Sequence, residues 1–199
     1  MLTDHDVSSL VIDTLCDRAK GQNVAVACFY FDFAAQKEQS PESVLGALLK
    51  QVVSGMEAVP KEIAQAYEDQ KKVIDGRRPH LADIVKMSQI TSSEKRTFIC
   101  IDALDECVPA NRVKLLDSLN QILRKAPGTR IFIAGRPQIR PEIGRHLAGK
   151  TTTLSISPRR DDIIRYLQAR LDEDTNPDAM NSVLEADIFN KVTQEISAM

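Results

Sequence analysis

The chain has 199 residues, 26 of them basic and 28 acidic, for a formal charge of −2, and is 43% apolar and 27% charged. That length and composition suit one domain with a sizeable core, and the near-neutral balance excludes the basic excess that phosphate-backbone binding needs. No apolar run approaches the roughly 18–20 residues that cross a bilayer, and Met1-Leu2-Thr3-Asp4-His5-Asp6 lacks the basic start and apolar stretch of a signal peptide. A cytoplasmic protein that engages neither nucleic acid nor membrane is the expectation.

In chain order, Val7, Leu10, Val11 and Leu15 fall at helical spacing, and Gly21 offers a stop. Val24 to Phe31 is a short apolar run, β-branched and aromatic, as in a strand buried on both faces. Ser40-Pro41-Glu42 opens a helix with Ser40 as N-cap and Pro41 in its first turn. Its apolar face is Val44, Leu45, Leu48, Leu49, Val52 and Val53. A polar surface helix over Pro60 to Lys72, a loop at Gly76-Arg77-Arg78-Pro79 and a helix over His80 to Ile90 follow. Thr97 to Ile101 reads as a second buried strand, and Val113, Leu116, Leu119, Ile122 and Leu123 mark the next helix. Pro127-Gly128 turns the chain into a strand at Arg130 to Ala134, and Ile139 to Leu147 reads as a short helix. Thr151 to Ile156 is expected to form a further strand, and Asp161 to cap a helix carrying Ile163, Ile164, Leu167 and Leu171. A polar gap at Asp172 to Pro177 precedes a weaker helical tail. Strands separated by helices imply right-handed crossovers and a parallel sheet covered on both faces.

Cys16, Cys28, Cys100 and Cys107 form no C-x-x-C pair, and His5, His80 and His146 lie far apart, so zinc chemistry is not indicated. The informative stretch is Phe98-Ile99-Cys100-Ile101-Asp102-Ala103-Leu104-Asp105-Glu106. An apolar strand ending in three carboxylates within five residues must solvate them, pair them or bind a cation. At the carboxyl edge of a parallel sheet, where ligands bind, the cluster suits a hydrated magnesium ion held by Asp102, with Asp105 or Glu106 orienting a water. A solvated acidic turn is the alternative. Arg136, at the end of the next strand and on the same edge, suits a terminal phosphate. A salt bridge to Asp102 or Asp105 fits it equally well.

Ile101-Asp102-Ala103-Leu104-Asp105-Glu106-Cys107 resembles the Walker B segment of NACHT-type (STAND) signalling NTPases. The closer similarity is to the nephrocystin-3-like N-terminal domain of fungal NLR-like receptors. Phe29-Tyr30-Phe31-Asp32-Phe33, Ser40-Pro41-Glu42-Ser43-Val44-Leu45, Gly135-Arg136-Pro137 and Asp161 to Leu167 add to it. The resemblance implies an α/β fold with a three-layer, P-loop-NTPase-like parallel sheet and helices on both faces. It implies magnesium with ATP or GTP as cofactors, and other receptor domains or a second copy as partners. By position, Asp102 becomes the ligand of a magnesium-bound water, Asp105 and Glu106 the hydrolytic acids, and Arg136 the phosphate sensor. Residues 1–175 would be a partial NTPase domain and 176–199 the start of a following helical segment.

The family pattern also needs a strand and a Gly-rich loop with Lys and Ser/Thr before the first helix. The six residues ahead of Val7 contain neither glycine nor lysine. The backbone nest, the phosphate-binding lysine and the preceding strand are therefore missing from their expected place. A fragment that retains the acidic turn and the arginine, and is not competent for nucleotide by itself, is the expectation. Gly144-Arg145-His146-Leu147-Ala148-Gly149-Lys150-Thr151 does fit G-x-x-x-x-G-K-[ST]. That mechanism requires strand, loop and then helix, whereas Gly144, Gly149, Lys150 and Thr151 join an expected helix to an expected strand. The match reads as a decoy. A non-catalytic interaction module is the second reading, and an intact NTPase using Gly144–Thr151 the third.

Overall fold

Helix α1 (Asp4–Ala19) ends in a turn where Gly21 adopts φ 71°, a left-handed geometry that glycine takes without a Cβ clash. The chain then enters β1 (Val24–Tyr30). Asp32 caps the 3-10 turn Phe33–Ala35, its Oδ1 accepting from the Ala34 amide at 2.8 Å. Helix α2 (Pro41–Ser54) starts where Ser40 Oγ accepts from the Ser43 amide at 3.2 Å, with Pro41 in the first turn. Next come α3 (Lys61–Lys71), α4 (Leu81–Glu94) and β2 (Arg96–Asp102). A 3-10 turn at Leu104–Glu106, α5 (Pro109–Lys125) and β3 (Arg130–Ile133) follow. A last 3-10 turn, Pro137–Ile139, leads into α6 (Arg140–His146). The computed structural model describes residues 4–71, 79–147, 151–156, 160–173 and 181–197.

All of these elements belong to one compact unit, Asp4–Thr151. A second unit holds Thr152–Met199, with α7 (Arg160–Asp172) packed on α8 (Ser182–Ser197). No helix among the described residues is long and apolar enough to cross a membrane.

The three strands form a parallel sheet in the order β1-β2-β3, with Tyr30 opposite Asp102 and Ile101 opposite Ile133. Parallel neighbours need crossovers, supplied by α2 to α4 between β1 and β2 and by α5 between β2 and β3. The period of two sends Ala25, Ala27, Ile99 and Ile101 to one face. There they join Val44, Leu45, Leu48, Ile84, Leu116 and Leu119 in the buried core. Burying each large aliphatic side chain contributes roughly 1.5–3 kcal/mol. The alternate residues, among them Cys28, Cys100 and Asp102, point to the opposite face, where α1 lies against β1 and β2. The first unit is thus an α/β sandwich with helices on both sides of a parallel sheet.

The two outer strands end differently. The Gln51 side chain accepts from the Cys28 amide at 2.9 Å and donates to the Cys28 carbonyl at 2.8 Å, so an amide group occupies the free edge of β1. At β3, Ala134 gives its N–H to Ile101 and takes the Leu104 N–H on its carbonyl. The alternation therefore turns the main-chain groups of Ile131 and Ile133 away from β2. No strand pairs with that edge among the described residues.

Two expectations fail. Thr151–Ile156 is not a strand: all six residues are exposed and none pairs with the sheet. Three β-branched threonines favour an extended chain, but a strand also needs a ladder partner and a buried face. Asp161 lies inside the first turn of α7 rather than capping it, because the helix begins at Arg160. The expected loop residues Gly76 to Arg78, and most of the gap Asp172 to Pro177, lie outside the described residues.

Candidate functional site

The carboxyl ends of β1, β2 and β3 bring together the acidic residues and the arginine singled out above. Asp102 closes β2 and is 1% exposed. Its Oδ1 accepts from the Ser8 hydroxyl at 2.7 Å, which fastens α1 to the sheet. Ala103 then takes φ 51° and ψ 41°, a left-handed geometry that disfavours a residue with a Cβ. This reversal drives the fully buried Leu104 into the core, and the Leu104 amide donates to the Ala134 carbonyl at 3.1 Å. Asp105 and Glu106 are positioned as the two residues that follow that anchor.

The three carboxylates are bound to three different elements. Asp105 Oδ1 accepts from the Arg136 amide at 3.1 Å, and its Oδ2 lies 3.5 Å from Arg136 Nε. Glu106 Oε2 accepts from the Phe33 amide at 2.9 Å, while its carbonyl accepts from Gln36 Nε2 at 2.6 Å. Asp102 is held by α1, Asp105 by the turn after β3, and Glu106 by the turn after β1. Among the described residues no group of three or more His, Cys, Asp or Glu is placed to hold a metal ion. Asp105 and Glu106 each accept a main-chain hydrogen bond from an exposed loop amide, whereas the buried Asp102 accepts from a hydroxyl.

Arg136 behaves differently from the acids. Its side chain is 69% exposed although Asp105, beside it, is 8% exposed. The guanidinium stands at the sheet edge with most of its donors facing solvent, and the close ion pair with Asp105 matches the salt-bridge alternative for this residue.

Sequence reasoning missed Arg112. Its Nη1 donates to the carbonyls of Asp105 at 3.3 Å and Cys107 at 3.0 Å, and its Nε pairs with Glu142 Oε2 at 2.9 Å. One guanidinium thus ties the acidic turn to α6. The signal was present: an arginine in the opening turn of a helix is unfavourable to the helix dipole unless something offsets it. A second pair, His146 Nδ1 with Asp117 Oδ1 at 2.7 Å, holds α6 to α5. Ser8 was also missed, since its neighbours give no hint of a buried acid 94 positions away.

Burial pushes the Cys107 thiol, beneath the acidic turn, up to about 11, against the opposing influence of Arg112. Burial likewise pushes Cys100 up to about 12. Neither is a nucleophile at neutral pH. Tyr30 is also raised, first by burial and then by nearby Cys28, with Asp102 contributing.

Of the G-x-x-x-x-G-K-[ST] match, Gly144 lies inside α6 and Thr151 is exposed and irregular. Gly149 and Lys150 lie outside the described residues.

The model of the nephrocystin-3 N-terminal family matches residues 7–136, nearly two thirds of the chain. The chain belongs to that family. No curated protein matches it at a significant level. The nephrocystin-3 N-terminal match begins within α1, takes in all three strands and the acidic turn, and ends on Arg136. Every residue of the sheet edge described above falls inside it.

Proposed function

We propose that this nephrocystin-3 N-terminal module serves a nucleotide-dependent signalling switch of the NLR-like receptor type, and that it does not grip ATP or GTP by itself. One observation carries the reading. The acidic turn and Arg136 occupy the carboxyl edge of a parallel sheet, the place where such folds take ligands, yet Asp102 fastens a helix and Asp105 and Glu106 each fasten a loop. The roles that the NACHT resemblance implies are a magnesium-water ligand at Asp102, hydrolytic acids at Asp105 and Glu106, and a phosphate sensor at Arg136. In each of the three acids at least one oxygen already accepts a hydrogen bond that positions a neighbouring element, so these side chains serve the architecture of the edge as well as any ligand. Arg136 keeps its side chain largely exposed. Gly144–Thr151 is read as a chance match, because its first glycine sits within a helix.

Each charge-assisted hydrogen bond from a phosphate cradle contributes roughly 1.5–3 kcal/mol, so binding through Arg136 without several such bonds is weaker by many decades. Titration of the intact chain with a fluorescent ATP or GTP analogue and magnesium is expected to show no saturable binding below roughly millimolar concentration. A micromolar dissociation constant refutes the proposal.

The same committed carboxylates favour a second reading, a non-catalytic interaction module for other receptor domains or a second copy. Placing a strand and a G-x-x-x-x-G-K-[ST] loop ahead of α1 separates the two. Restored magnesium-dependent nucleotide binding supports the switch, and its absence in a well-folded variant supports the interaction module.

A further inference from the structure

Away from the sheet edge, a cleft of about 420 Å³ opens between α2, α3 and α4. Its walls are Leu49 and Val53 from α2, Ile63 from α3, and Ile84 and Met87 from α4. That volume lies within the range of small-molecule sites. Gly46, in the interior of α2, also lines it.

This glycine is not explained by packing. A Cβ built on Gly46 meets nothing within 4 Å, so neither a neighbouring helix nor a strained backbone demands its absence. A glycine inside a helix is unfavourable relative to alanine. What its missing side chain does here is leave the cleft open.

The rim is charged. Lys50 lines the cleft and makes no ion pair or hydrogen bond among the described residues. It precedes the last turn of α2, where a cation would complement the helix dipole. Glu42 lies two turns away at the opposite end, in the first turn of α2, where the dipole favours an anion. The carboxylate thus has a reason to be there that the lysine lacks.

We propose that this cleft binds a medium-chain aliphatic carboxylate. The alkyl chain lies over Gly46 between Leu49, Val53, Ile84 and Met87, and the carboxylate pairs with Lys50. The site is separate from Arg136 and the acidic turn, and it stands whether or not the chain takes nucleotide. Each methylene moved from water into the cleft raises affinity about fourfold. Binding should therefore strengthen stepwise from octanoate to decanoate to dodecanoate.

Isothermal titration of the intact 199-residue chain with these three acids, below their micellar concentrations, tests the proposal. Dodecanol and dodecylamine serve as neutral and cationic controls. Saturable binding that tightens about fourfold per methylene, with dodecanoate above both controls, is the expected result. Gly46→Leu places a side chain in the cleft and is expected to weaken dodecanoate more than about tenfold, while the far-ultraviolet circular dichroism and melting temperature are retained. Lys50→Glu should weaken dodecanoate and leave dodecanol unchanged. Amide chemical shifts of Gly46 and Lys50 on titration give a second readout that needs no variant. Absence of saturable binding, an unchanged affinity in Gly46→Leu, shifts confined to other regions, or preference for dodecylamine would each overturn it.

Discussion

A methyl group on Gly135 would lie 2.8 Å from Ile139 Cδ1 and 3.0 Å from Asp105 Oδ1. The isoleucine terminus can swing aside, but Asp105 Oδ1 is held by the Arg136 amide, so the methyl forces that bond apart. Gly135→Ala is therefore expected to destabilise the fold by about 1–3 kcal/mol, the usual range for overpacking. Urea unfolding monitored by circular dichroism measures it, and an unchanged midpoint would show that the turn has slack. The glycine in Gly135-Arg136-Pro137 is thus needed for close approach of two turns, independently of any phosphate. Asp105 was readable in the sequence as an acid at a strand end. That its partner would be a main-chain amide 31 positions away was not readable, because a motif names residue types and says nothing of which neighbour reaches them first.

At the scale of elements, Arg112 joins three of them: α5, the acidic turn and α6. It serves the acidic turn through two carbonyls and α6 through Glu142, with both ion-pair partners largely buried. Arg112→Met keeps much of the side-chain bulk but strands a carboxylate and two carbonyls. A loss of about 2–4 kcal/mol is expected, below the full value for a deeply buried pair because some solvent reaches it. Thermal denaturation of the single variant and of Arg112→Met with Glu142→Leu checks the account: the double change should recover part of the loss, and no recovery argues against the pair. The helices and strands themselves were largely legible. Apolar spacing located α2 and α5, and unbroken apolar runs located β1 and β2, because periodicity reports which face is buried. Thr151–Ile156 was misread for the complementary reason. Its residues have strand propensity, but pairing depends on an edge elsewhere in the chain that local sequence does not encode.

For the molecule as a whole, the buried thiols set an alkaline limit. Cys100 and Cys107 have folded values of about 12 and about 11 against an ordinary 9.0. Their contribution to stability is complete below about pH 9, where both states keep the proton, and is lost as pH climbs toward the folded values, since the unfolded chain ionises first. The slope is about 1.4 kcal/mol per pH unit for each thiol. Urea midpoints from about pH 8 to about pH 10.5 should fall accordingly, and the double variant Cys100→Ala with Cys107→Ala should flatten that fall. The sheet carries a second whole-molecule consequence. The outward main-chain groups of Ile131 and Ile133 offer hydrogen bonds to another extended segment, and unpaired edges recruit one. Concentration-dependent association is expected in light scattering after size-exclusion chromatography. Ile131→Pro, which removes one of the outward N–H donors, should reduce it, and a strictly monomeric wild-type chain at high concentration contradicts the idea.

The glutamine on the opposite flank limits how far such association can run. With Gln51 imitating a neighbouring strand at Cys28, the rim of β1 is already engaged at that residue, which makes it the less receptive side of the ribbon. Growth by stacking sheet against sheet in a line needs two receptive borders per subunit. Unequal borders of this kind favour finite pairs over fibres, because a companion that seals the open one leaves the poorer one to carry any further growth.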